Sequence, residues 1–290
     1  MTTWVHWDVP QREGLTTIMS YARDLWATRE LWWNLTLREV RGKYRRTVLG
    51  QLWSLINPLA SMVVYTIVFS LILRARPEAG DPSGLDIYPL WLLAGLLPWT
   101  YFSRVTQGAL SSIVGNAQLV KKVYFPRMHL PLSLAASIGF TWLIEMGVLA
   151  AVIWIVGGFP LPWLPLTLVF MFLMALFSIG IGMLLAIANV HFRDTQHFVS
   201  IALQLWLYLS PIIYPLHLVE AAATGDREWI LTVYRLNPIE RFVAVFRDLL
   251  YDNRWPDLTD ALMCVAWALG IFAIGYLVFS RQEKRLAELL

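Results

Sequence analysis

The chain reads as an all-α membrane protein: six transmembrane helices, amphipathic interfacial helices before the first, and short re-entrant outer helices after the fifth. Three observations predict this. Of the 290 residues 58% are hydrophobic, with a mean hydropathy of +0.56, whereas soluble domains are roughly 45–50% apolar. The excess sits in long charge-free runs, as membrane helices require. The cations cluster in the segments between those runs, and arginine outnumbers lysine 19 to 4.

Residues 1–51 form a polar N-terminal region of mixed charge. No charged start is followed there by an apolar run, so no cleaved signal peptide is expected. The stretch 21–37, YARDLWATRELWWNLTL, is amphipathic and holds Trp26, Trp32 and Trp33. Residues 38–46 then carry five cations: Arg38, Arg41, Lys43, Arg45 and Arg46. On a helix, Leu37, Val40, Tyr44 and Val48 share one stripe, with Arg38, Arg41 and Arg45 beside it. An apolar stripe flanked by cations describes a helix lying in the membrane surface, its arginine stems reaching along acyl chains toward lipid phosphates. Two readings fit. One is plain positive-inside anchoring. The other is a site for a phosphorylated lipid head, where a planar guanidinium serves better than an ammonium.

Crossing about 30 Å of hydrocarbon takes about 20 apolar residues. Six segments qualify: 52–73, 87–112, 130–156, 163–190, 198–218 and 261–279. They make one six-helix domain, 52–280, followed by a short tail, 281–290. Loop cations set its orientation. The side holding both termini carries 15 Lys and Arg and the other side 7, so both termini are expected in the cytoplasm and the chain in the cytoplasmic membrane. Trp91, Trp99, Trp163 and Trp255 suit the outer interface.

Within the spans, Asn57, Ser61, Tyr65 and Phe69 recur on one face of the first, and Gln204 and Tyr208 on one face of the fifth. Such faces line a path for sugar rings or pack helix against helix. Arg104 in the second span and Glu145 in the third are costly there and are functional candidates. Counting from Trp91 and Leu130 at 1.5 Å per residue puts them roughly 12 Å apart in depth, which leaves open a pair or two separately satisfied charges. The outer segment 219–260 is too long for a turn. Ile239, Phe242, Val243, Phe246, Leu249 and Leu250 form one apolar stripe in it, and Glu240, Arg241, Arg247 and Asp248 take the other face. A short helix dipping back into the outer leaflet accounts for this.

Several chemistries are excluded. Cys264 stands alone, so there is no internal disulfide or cysteine metal cluster. The only Gly-Lys pair, Gly42-Lys43, lacks the P-loop spacing, so the chain is no ATPase of that kind and energy coupling needs a partner. A membrane glycosyltransferase on a carrier lipid would need clustered carboxylates for a divalent metal, and Asp194, Asp248 and Asp252 stand apart in sequence. No cofactor, metal or nucleic acid is expected on this chain.

The stretch REVRGKYRRTVLGQLWSLINP (38–58) resembles the threshold motif of the ABC-2 type permeases that export polysaccharides. VKKVYFPRMHLP (120–131), NVHFRDTQHF (189–198), YLSPIIYPL (208–216) and LNPIERFVAVFRDLLY (236–251) resemble later pieces of that family in the same order. The resemblance implies the ABC-2 exporter fold, a homodimer, and two copies of a separate ATPase that holds ATP and magnesium. It makes 116–129 a coupling segment seated on that ATPase through Lys121, Lys122, Phe125 and Arg127, with Arg193 and Asp194 as a second contact. It places an outer gate at Phe242, Phe246 and Leu250. The implied cargo is a polyprenyl-diphosphate-linked glycan moved outward among membrane lipids. Teichoic acid comes first, then O-antigen or capsule, although no residue distinguishes them; a small-lipid or drug exporter of the same superfamily is the rival.

Overall fold

A computed structural model of the chain describes residues 23–43, 49–72, 79–123, 125–223 and 228–286. Arg45 and Arg46 lie outside the described residues, as do the side chains of Asn57, Ser61, Tyr65 and Phe69. The described residues are almost entirely helical. Helix α1 covers Arg29–Lys43. Helix α2, Trp53–Tyr65, continues as a π-helical stretch, Thr66–Ile72. Then follow α3, Tyr88–Ser112, the short α4, Ala117–Lys122, α5, His129–Ile155, and α6, Leu164–His191. Helix α7 spans Thr195–Tyr208, and α8, Leu216–Ala222, and α9, Trp229–Leu236, are short. Helix α10, Pro238–Arg247, runs into a π-helical turn, Asp248–Asp252, and α11 is Leu258–Leu286.

By length and composition, α5, α6 with the turn before it, and α11 can cross a membrane. Helix α3 matches its expected span almost residue for residue, starting where Pro89 suits a first turn that needs no N–H donor. The fifth span does not hold as expected. Helix α7 has 14 residues, about 21 Å at 1.5 Å per residue, and stops at Tyr208 rather than 218. Pro211 lacks an N–H and bars helix in the residue before it, and the chain turns there with Ile212 N–H donating to the Ser210 carbonyl at 2.7 Å.

Helices α3 and α6 form the centre. Helix α6 packs against α11 and α3, and α3 against α5 and α10. Phe102, Phe177, Phe242 and Phe246 are fully buried between them. Where α6 crosses α11 the backbones touch: a Cβ on Gly180 would lie 2.7 Å from the Ile271 carbonyl carbon, and one on Gly275 would strike the Gly180 carbonyl oxygen. Helices α2 and α7 instead present exposed apolar side chains, including Val63, Ile67, Phe198 and Leu205.

The bundle has two ends. Residues 79–88, 156–163, 211–223 and 228–258 gather at one: Tyr251 donates to the Leu85 carbonyl at 2.7 Å, and the Trp163 and Trp255 rings meet at 5.2 Å. Residues 112–123, 125–130 and 189–197 and the last turn of α11 gather at the other, where Asn189 donates to the Leu110 carbonyl and Arg127 binds Glu283. Trp255 is 75% exposed, as an interfacial tryptophan should be, but Trp91 and Trp99 are buried, at 7% and 5%. The belt expected of those two is corrected, because α10 and α7 cover the start of α3.

Candidate functional site

The cation-bearing helix does not lie flat across the foot of the bundle. Thr28, just before α1, bonds His129 at the start of α5 at 2.7 Å. Lys43, at the end of α1, donates to Thr141 three turns up α5 at 3.0 Å. Helix α1 therefore climbs obliquely along α5, a correction to the surface helix. The cause is a different apolar face from the one expected. Leu31 and Leu35 pack into a small cluster with Val120, Phe125 and Leu130, which leaves Leu37 and Val40 to line a trough.

That trough has a volume of about 730 Å³ and lies between α1, α5 and α6, with Phe140, Met171 and Phe172 among its walls. Its lining is apolar apart from a few groups. Arg41 is exposed along it. Trp32 and Trp142 also line it, and their buried indole N–H groups have no hydrogen-bond partner among the described residues. Arg38, on the neighbouring face, donates to Glu39 at 2.9 Å and to Asn116 at 3.1 Å.

Arg104 and Glu145 pair at 3.5 Å, with side chains 49% and 7% exposed. The depth count placing them apart was sound for the backbones. Tyr101 stacks on Trp142 at 4.2 Å, and Leu134 abuts Gly108. Arg104 is therefore level with the residues around Ile138, about two turns or roughly 10 Å short of Glu145. Side chains lean toward the N-terminus of their own helix. On antiparallel helices such as α3 and α5, that tilts these two toward each other.

At the α4 end, Lys121 and Lys122 are exposed, whereas Phe125 is 6% exposed inside the α1 cluster. Phe125 is thus no surface contact but joins the segment after α4 to α1. Arg127 is engaged as well, its backbone N–H and guanidinium both donating to Glu283 in the last turn of α11. Arg193 and Asp194 are exposed and form no ion pair with each other.

At the opposite end, α10 inserts as its stripe predicts, but deeper than a gate would sit. Phe242, Phe246 and Leu250 are fully buried, with Phe246 edge-on to Trp142 at 5.9 Å and Phe242 beside Phe177 at 5.8 Å. As a lining for a gate these three are corrected: they are core. The charged face of α10 is paired within the chain. The Arg247 guanidinium lies 3.5 Å from the Trp91 ring centroid and donates to the carbonyls of Pro211 at 2.8 Å and Ile212 at 2.7 Å, holding the break after α7. Arg241 binds Asp260, and Arg254 binds Asp248 at 2.6 Å.

Sequence reasoning missed Asn237. It caps α10 by accepting from Ile239 N–H at 3.1 Å, accepts from Trp206 of α7 at 2.9 Å, and donates to Ser210 at 2.8 Å. The Asn-Pro pair that opens α10 was the available signal.

Residues 30–251 match the family described as ABC-2 type transporter. The chain belongs to the ABC-2 type transporter family. It is similar to the O-antigen export system permease protein RfbA of Myxococcus xanthus, 28% identical over 266 residues, covering 92% of this chain and 97% of that protein. It is also similar to the protein of the same name from Klebsiella pneumoniae, 29% identical over 259 residues, 88% of this chain and 93% of the relative. The polysialic acid transport protein KpsM of Escherichia coli is 28% identical over 256 residues, 86% and 92%. The matched part of this ABC-2 chain runs from α1 to the π-helical turn after α10, and so contains the trough-lining residues of α1, α5 and α6, the Arg104–Glu145 pair, Asn237 and Arg247, but not Thr28, Arg254 or α11. Of the residues singled out from its sequence, Arg38, Arg41, Lys43, Lys121, Lys122, Arg193, Asp194, Gln204 and Tyr208 are exposed. Glu145, Phe125, Phe242, Phe246 and Leu250 are buried.

Proposed function

We propose that this chain is the membrane permease of an ATP-driven exporter that moves a lipid-linked surface glycan outward. The trough beside α1 carries the reading. An apolar channel of that size takes a polyprenyl chain. Arg41 and the two unpartnered indole donors, Trp32 and Trp142, supply charge and hydrogen bonds for a diphosphate, which a purely structural void would not need. Arg38 and Lys43 flank it, and Arg45 and Arg46 follow directly in sequence. The names of the relatives support a polysaccharide cargo and favour O-antigen or capsule over teichoic acid.

The rest of the assembly follows from this reading. Six spans, α2, α3, α5, α6, α7 with the turn after it, and α11, lie in the cytoplasmic membrane, with both termini in the cytoplasm. Residues 1–51 and 281–290 flank that domain. A second copy meets the exposed faces of α2 and α7, so that Gln204 and Tyr208 line the path. Lys121, Lys122, Arg193 and Asp194 face a separate ATPase, which holds ATP and magnesium. The chain itself does no chemistry and carries no cofactor.

The test is substrate-stimulated ATPase in proteoliposomes holding the permease and its ATPase, titrated with polyprenyl-diphosphate-linked oligosaccharide. A lysine at position 41 keeps the charge but loses the two-pronged contact. With charge-assisted bonds contributing about 1.5–3 kcal/mol, Arg41→Lys should raise the half-maximal concentration about ten- to a hundredfold. Wild-type behaviour of both Arg41→Lys and Trp32→Phe sinks the reading.

A further inference from the structure

A second recess lies at the α10 end, far from the trough. It has a volume of about 360 Å³, in the lower range of ligand pockets, and sits between α8, α9, α10, the start of α11 and the turn at 79–81. Seven carboxylates and four guanidinium groups line it, with Val243 and Trp91 as apolar floor. We infer that this recess is a glycan-binding site on the exit side that accepts sugar units that are uncharged or bear an amine, and refuses anionic ones. The inference rests on the export reading above.

Every guanidinium in the recess is already engaged. Arg241 holds Asp260, Arg254 holds Asp248 and Asp252, Arg247 holds two backbone carbonyls, and Arg235 faces Glu220. Arg235 alone is loosely held, 4.0 Å from Glu220, and three carboxylates remain in excess of the guanidiniums, so the recess as a whole disfavours a phosphate or a uronate. Glu240 shows what is missing. It is 4% exposed, and its Oε2 has no hydrogen-bond partner among the described residues. Arg241 Nε lies 3.3 Å from it, but that N–H donates to the Arg235 carbonyl at 2.7 Å instead. A buried carboxylate oxygen without a donor calls for explanation. Burial pushes the Glu240 carboxyl up to about 7, so a hydroxyl or ammonium donor from a ligand would satisfy it near neutrality. Paired carboxylates and guanidiniums around an apolar floor offer alternating acceptors and donors, which suits a ring of hydroxyl groups.

The test uses the full-length permease in nanodiscs with three soluble probes of matched length: a maltose-type oligomer, a chitosan oligomer and an oligogalacturonate. The neutral and amino oligomers should bind. The galacturonate should bind at least about tenfold more weakly, since like-charge juxtaposition costs more than one decade of affinity. Glu240→Gln should remove most of the advantage of the amino oligomer over the neutral one. Ala244→Phe, which fills the recess and leaves the ion pairs intact, should abolish binding of all three, with thermal unfolding as the control for folding. Binding of galacturonate as tight as the amino oligomer, or unchanged binding in Ala244→Phe, overturns the inference. So does failure of every probe to bind a permease that exports lipid-linked glycan, in which case the ion pairs only strut α10 against α11 and the export reading stands. Recess binding in a permease that exports no lipid-linked glycan would overturn the export reading instead.

Discussion

Replacing Asn237 by alanine tests whether one side chain holds the end of α7 to α10. Three hydrogen bonds disappear: from Trp206 at 2.9 Å, from Ile239 N–H at 3.1 Å and to Ser210 at 2.8 Å. Side-chain bonds between membrane helices average about 0.6 kcal/mol, and those in soluble proteins reach about 1.5 kcal/mol. Three of them give roughly 2–4.5 kcal/mol. Asn237→Asp keeps both acceptor contacts, and the Ser210 hydroxyl can turn to donate, so its cost should be less than half as large. The assay is reversible unfolding of the purified chain in bicelles. An alanine variant within about 0.5 kcal/mol of wild type, the range of a neutral surface change, refutes the reasoning. So does an aspartate variant as damaged as the alanine one.

Phe125→Ala should destabilise the chain by roughly 3–5 kcal/mol as a buried truncation. Lys121→Ala with Lys122→Ala should leave unfolding unchanged and weaken only the partner ATPase, as co-purification and ATPase rate would show. Gly275→Ala forces the backbones of α6 and α11 apart and should lower the unfolding temperature, whereas Gly270→Ala, with nothing within 4 Å of its added carbon, should be tolerated. Arg104→Met should cost less than the roughly 3–5 kcal/mol of a fully buried pair, because Arg104 is half exposed, and Arg104→Met with Glu145→Leu should recover stability; a double variant worse than the single one counts against the pair. Glu240 has its pKa raised from 4.5 to about 7, so the folded chain holds that proton more tightly than the unfolded one. Stability should therefore fall as pH rises between those values, and Glu240→Gln should flatten the slope in pH-dependent melting.

The boundaries of α3, α5 and α6 were legible to within a residue or so, because charge-free runs bounded by Pro89, His129 and Pro165 leave little choice. The end of α7 was also legible and was overrun: hydropathy carries on past Ser210-Pro211, while backbone chemistry does not. The stripe of Phe242 and Phe246 predicted a helix and its buried face correctly. What it buried against was not legible, because periodicity along one helix says nothing about the neighbour. The Arg104–Glu145 contact depended on the lean of side chains on antiparallel helices, which a count of depth omits. The trough was invisible because it needs α1 docked on α5, and the docking residues Leu31 and Leu35 are not those of the stripe beside the cations.

The crossing of Gly180 and Gly275 sets what is free to move. Helices that touch through side chains slide or tilt by exchanging rotamers. Two backbones in direct contact have no rotamers to exchange, so α6 and α11 travel together as a fixed mast. Arg127, through Glu283, ties the loop after α4 to the foot of that mast. Any opening of a passage must then be made by the elements hung around it, α1, α2 and α7, whose outward faces no other described part of the chain covers.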